Sequence, residues 1–130
     1  MSENVMENKS NSSFMIILKG TILSICMTMI LLLILSFILT NTNISEEVIT
    51  PSIITITAVS ILASSSICTI KVTKGGIIKG GLIGLIYILS LYIISSVLSG
   101  VFTLKIYSII MIASAIIAGC IGGIIGVNRN

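Results

Sequence analysis

Three cysteines, four glutamates and one lysine–glycine stretch are the residues through which this sequence could act chemically. Cys26, Cys68 and Cys120 are thiols, and three thiolates at similar depth suit a soft metal. They show no Cys-x-x-Cys spacing and no fourth ligand, so the expected role is that of small apolar fillers, with no metal bound. The acids are Glu3, Glu7, Glu46 and Glu47, and the sequence has neither histidine nor aspartate. No carboxylate pair, Ser/His/Asp set or Cys/His set can be assembled from these residues. The run Lys74-Gly75-Gly76-Ile77-Ile78-Lys79-Gly80-Gly81 has the composition of a phosphate-cradling loop. It lacks the Gly-x-x-x-x-Gly-Lys-Ser/Thr order, and no strand precedes it. The expectation is a protein with no catalytic residues and no cofactor.

These residues have to be carried by something, and the composition indicates the solvent. Of 130 residues, 55% are hydrophobic and 8% charged, with a mean hydropathy of +1.24. A water-facing domain carries roughly 25% charged residues, and a disordered chain needs low hydrophobicity with high charge. The net charge of +3 comes from seven scattered bases. They form no stripe that neutralises phosphates, so a nucleic-acid partner is not expected. The chain belongs in a lipid bilayer.

A helix crosses the ~30 Å hydrocarbon core with about 20 apolar residues. Four runs qualify, at about 20–40, 51–70, 80–99 and 106–127. Residues 1–13 read as a polar tail without periodicity, and 14–128 as a single four-helix transmembrane domain. Phe14–Leu18 can lengthen the first run while Lys19 snorkels toward the headgroups. Thr50 is suited to cap the second helix, with Pro51 at its first position, where a missing N–H costs nothing. The first run is too long for a cleaved signal peptide and is followed by no small-x-small site. The expected fold class is all-α: a polytopic membrane protein, four transmembrane helices packed as a small bundle.

Charge sets the expected orientation. Lys9 and Lys19 precede the first span, Lys71, Lys74 and Lys79 lie between the second and third, and Arg129 follows the fourth. Only Lys105 falls on the opposite side, together with Glu46 and Glu47. Bases are retained on the cytoplasmic side, which puts both termini there in a multi-pass protein of the cell membrane. Lys19, Lys71, Lys74, Lys79 and Arg129 then fix topology and attract anionic headgroups. The three cysteines fall in the cytoplasmic halves of their helices, where disulfides are not expected.

Within lipid, helices associate through close approach of small residues and through interhelical hydrogen bonds. In the fourth span Ser114, Ala118, Gly122 and Gly126 recur every four residues, with Ala115, Gly119 and Gly123 on the neighbouring ridge. Gly80 and Gly84 repeat that spacing in the third span. The second carries Ser52, Ser60, Ser64 and Cys68 on one ridge, with Ser65 and Ser66 alongside. Glycines lower helix propensity, so Gly119–Gly126 needs a packing partner, either the third helix or a second copy of the chain. A buried hydroxyl on Tyr87 or Tyr92 needs a partner, and the serines of the second span are available. Phe102 and Tyr107 flank the last loop as interfacial anchors. Ile17-Leu18-Lys19-Gly20 and Ile77-Ile78-Lys79-Gly80 open the two halves alike, as a parallel repeat would; chance matching in so apolar a sequence is the simpler account.

The stretch Lys79-Gly80-Gly81-Leu82-Ile83-Gly84-Leu85-Ile86-Tyr87 and the ending from Ala118 to Asn128 carry a resemblance. With Leu18-Lys19-Gly20, they resemble the small four-helix membrane proteins of Bacilli and Clostridia typified by YrzE of Bacillus. The resemblance runs from Ile17 to Asn128. Where those proteins tend to have a glycine pair late in the second helix, this chain has Ser64-Ser65-Ser66. That family has no known function, so the resemblance implies location and fold and brings no site residues. The functional expectation is a non-catalytic membrane protein that packs with itself or with a membrane partner. The alternative is a small channel or transporter subunit, which lacks the membrane-embedded acid of proton-coupled exporters and the balanced charge of dual-topology channels. A lysis-type holin has only small size and a polar tail in its support.

Overall fold

In the computed structural model, which describes residues 2–102 and 104–129, four α-helices account for nearly the whole chain. They are α1 (Ser2–Asn41), α2 (Ile49–Thr69), α3 (Gly76–Ser99) and α4 (Ile106–Asn128), and no strand occurs among the described residues. Each is long and apolar enough to cross a membrane.

Three helix starts differ from the expected ones. Residues 2–13, read as a tail without periodicity, form the first turns of the 40-residue α1; Met1 lies outside the described residues. No glycine or proline interrupts the chain before Gly20, so the helix nucleated in the apolar span can propagate outward. Glu3 lies in the first turn, where the helix dipole favours an acid. At 1.5 Å per residue α1 is about 60 Å long, roughly twice the hydrocarbon thickness.

The second helix starts ahead of Thr50. A 3₁₀ turn, Glu46–Val48, leads straight into α2, whose N-cap is Val48 with no side-chain cap bond. Pro51 still falls within the first turn, where its absent N–H has no intrahelical partner to lose. The third helix begins four residues before the expected Gly80, because Gly75, at φ 75°, turns the chain in the left-handed region. Gly100 closes the other end at φ 65°, its N–H donating to Ser96 O at 2.9 Å. Only glycine adopts this conformation without strain.

The distribution of side chains is inverted relative to a water-soluble bundle. On α1 and α2 the buried positions are held largely by hydroxyls: Thr21, Ser24 and Thr28 on α1, and Thr57, Ser60, Ser64, Ser65, Ser66 and Thr69 on α2. The large aliphatic side chains point outward, Leu33 and Phe37 of α1 and Val97 and Leu98 of α3 among them. Water would drive the opposite arrangement, whereas in hydrocarbon small and hydrogen-bonded residues belong at the helix contacts.

The fourth helix is the hub. It runs antiparallel to α3 and parallel to α2, and it packs closely on both. Helix α1 packs on α2 and α3 and does not reach α4. This up–down order gathers Lys19, Lys71, Lys74, Lys79 and Arg129 at one end of the bundle and leaves Lys105, Glu46 and Glu47 at the other.

Candidate functional site

The small residues of α4 serve two neighbours rather than one. Ala115, Gly119 and Gly123 face α3, and a Cβ on Gly119 would run into the carbonyl of Gly80. Gly84 meets the carbonyl of Ala115, and Gly76 meets Gly123 and Val127. The second ridge faces α2. A Cβ on Gly122 would stand 2.5 Å from Leu62 O and 3.0 Å from Ser65 Cβ, while Gly126 lies against Ser66 and Thr69. The expected partner for these glycines, α3 or a second copy, is thus extended to α2. Ser114, placed on the same ridge by its spacing, is only half-buried, and its Oγ donates to Met111 O of its own helix at 2.9 Å.

Hydroxyls stitch the seams that glycine opens. Ser65 Oγ donates to Gly119 O at 2.9 Å, from α2 to α4, while Thr69 Oγ1 donates to Ser65 O of its own helix at 2.7 Å and lies 3.4 Å from Gly123 O. The neighbouring Ser64 turns the other way and bonds Ser24 of α1. The three consecutive serines therefore divide their contacts between α1 and α4. Tyr87 of α3 is fully buried and donates to Thr28 Oγ1 of α1 at 2.8 Å. The sequence points instead to the serines of α2 as its partner. Spacing along the chain gives the depth of a residue but not which neighbour it faces, and α1 occupies that sector. Among the described residues no buried side-chain nitrogen or oxygen lacks a hydrogen-bond partner.

The two similar half-openings have different surroundings. Gly20 lies against Ile83 of α3, with Cδ1 2.6 Å from where a Cβ would be, whereas Gly80 lies against the α4 backbone. Cys26 is exposed on α1, and Cys68 and Cys120 are half-buried free thiols. Phe102 and Tyr107 are both exposed beside the last loop.

Several clefts open on the bundle surface among the described residues. One, of about 170 Å³, lies where α3 and α4 diverge, lined by Tyr92, Ser95, Ser108 and Met111 with aliphatic neighbours. A second surrounds the α2–α3 turn at Lys74–Ile78, against Val127 and Asn128. A third, between α1 and α2, is lined by Ser12, Ile16, Lys19, Ile67, Cys68 and Lys71. Sequence reasoning identified both lysines as surface charges, but only the pairing of α1 with α2 brings them into one cleft.

Residues 13–126 match the family described as Protein of unknown function (DUF3792). The chain belongs to that family. The DUF3792 match spans all four helices and ends at Gly126, the last glycine of the α4 seam. It leaves out residues 1–12, most of the polar extension of α1. No curated protein and no solved structure matches the chain.

Proposed function

We propose that this DUF3792 protein is a non-catalytic integral protein of the cell membrane that acts by helix packing, with a second copy of itself or with another membrane protein. The supporting observation is the contrast between α1 and the rest of the bundle. Glycine seams bind α2, α3 and α4 to one another, so their small faces are already occupied. In α1, only 11% of the most apolar stretch is buried, against 28–33% in the other spans. Its outward stripe, Ile22, Cys26, Ile30, Leu33 and Phe37, follows helical spacing over four turns. This face, on the least covered of the four spans, is open to lateral contacts.

Cys26 sits within that stripe as a native reporter. In membranes carrying the Cys68→Ser, Cys120→Ser chain, mild oxidation is expected to yield a Cys26–Cys26 dimer. Failing that, a thiol-reactive crosslinker should trap one defined membrane protein at Cys26. If neither product forms, the reading is wrong. A channel or transporter subunit is the rival, and its route would have to follow the hydroxyls between α1, α2 and α3. Those hydroxyls are bonded to one another and to helix carbonyls, which favours the packing reading.

The orientation belongs to the same proposal. The five bases gathered at one end of the folded bundle support an orientation with both termini in the cytoplasm. Reporter fusions at either terminus should be active only as cytoplasmic reporters, and a cysteine introduced at Asn43 should react with a membrane-impermeant thiol reagent from outside. The opposite pattern inverts the topology.

A further inference from the structure

We propose that the cleft between α1 and the end of α2 is a binding site for the headgroup of an anionic phospholipid. The cleft has a volume of about 350 Å³, and its lining joins Lys19 and Lys71 with Ser12, Ile16, Ile67 and Cys68. Lys19 of α1 and Lys71, in the turn that follows α2, line it together, and Ser12 adds a hydroxyl. No carboxylate lines the cleft among the described residues. Glu7 and Glu3 lie 12 and 16 residues before Lys19 on the same helix. At 100° per residue they project about 120° or more away from it. Glu46 and Glu47 are at the far end of α2. Among the described residues, no acidic side chain compensates the positive charge of the cleft.

Depth and shape select a lipid over a free anion. Lys19 immediately precedes the apolar run that opens at Gly20, and Lys71 lies two residues beyond the last residue of α2. Both are thus at the level where headgroup phosphates lie, and basic pockets between membrane helices at this depth suit anionic headgroups. Ile16 and Ile67 form the apolar walls, and on the membrane side of the lysines the exposed Ile22 of α1 and Ile67 of α2 carry the apolar surface toward the bilayer centre. An acyl chain can follow that surface while the phosphate sits between the lysines. The second basic cleft, at the α2–α3 turn, has Lys74 alone in its lining and serves as the comparison. The proposal goes beyond the packing function and stands whether or not α1 also contacts another protein.

The test titrates the full-length chain, in mild detergent, with phosphatidylglycerol or phosphatidylcholine of identical acyl chains and counts bound lipids by native mass spectrometry. The expected result is one phosphatidylglycerol retained at least tenfold more tightly than phosphatidylcholine. Lys19→Gln and Lys71→Gln should each weaken it about fivefold, while Lys19→Arg, Lys71→Arg and Lys74→Gln retain it. Equal binding of the two lipids overturns the proposal. So does an equal loss with Lys74→Gln, which would mean diffuse surface charge, or a loss with the arginine variants, which would mean a structural role. Displacement of the lipid by equimolar inorganic phosphate would overturn the lipid as occupant.

Discussion

Gly123→Leu is expected to abolish the folded bundle, whereas Gly81→Ala leaves it standing. A Cβ at Gly123 would meet the carbonyl of Gly76, with the carbonyl carbon at 2.7 Å and Gly80 Cα at 3.2 Å. These are backbone atoms, so relief requires α3 to move as a body. The contacts of Gly119 with Gly80 and of Gly84 with Ala115 lie on the same seam and would open with it. Alanine at position 123 gains about 1 kcal/mol of helix propensity, but its Cβ alone already meets the Gly76 backbone, so a net loss toward the upper end of the overpacking range of about 1–3 kcal/mol is expected. Leucine adds three further carbons to the same gap and exceeds what the seam can absorb. At Gly81 the nearest atom is Cys120 Sγ at 3.0 Å, a side-chain end that can rotate away. The check is thermal loss of the monodisperse species in detergent. A wild-type midpoint for Gly123→Leu would mean that α3 and α4 do not approach so closely.

The positions of that seam were legible in the sequence, but its partners were not. Glycine and alanine at four-residue spacing mark a flat face, and a flat face carries no side chain whose shape identifies what it meets. Hence the two ridges of α4 could be seen without showing that one serves α3 and the other α2. The same limit misplaced the partner of Tyr87, which is Thr28 of α1. Helix ends were read from hydropathy, which reports where apolar residues stop and not where hydrogen bonding stops. Residues 2–13 are polar yet remain helical, and α3 begins at Gly76 because a left-handed glycine precedes it. The Lys19–Lys71 cleft needed the α1–α2 pairing, since 51 intervening residues separate its two lysines.

Tyr87 should show the largest single-residue effect outside the glycine seams, and the order of its variants tests how the hydroxyls are used. Tyr87→Ala removes the largest fully buried side chain at the junction of α1, α2 and α3. Aromatic-to-alanine changes in cores cost about 3–5 kcal/mol. In lipid the transfer part of that cost is weak because the surroundings are equally apolar, so a loss of about 2–4 kcal/mol is expected. Tyr87→Phe should cost about 1 kcal/mol or less. It removes one interhelical bond, and Thr28 stays satisfied because its hydroxyl donates to Ser24 O at 2.7 Å. The reverse deletion strands a donor. Thr28→Val takes away the acceptor of Tyr87, and Thr57, which also stands beside that hydroxyl, can replace it. The Thr28→Val, Thr57→Val chain has neither, and a buried hydroxyl without a partner costs about 1–3 kcal/mol. The stability order in mixed-micelle denaturation should therefore be wild type, Tyr87→Phe, the double valine chain, then Tyr87→Ala. A double valine chain as stable as Tyr87→Phe would mean that water or lipid headgroups reach the seam, and the interior would then be wetter than its hydrogen bonds imply.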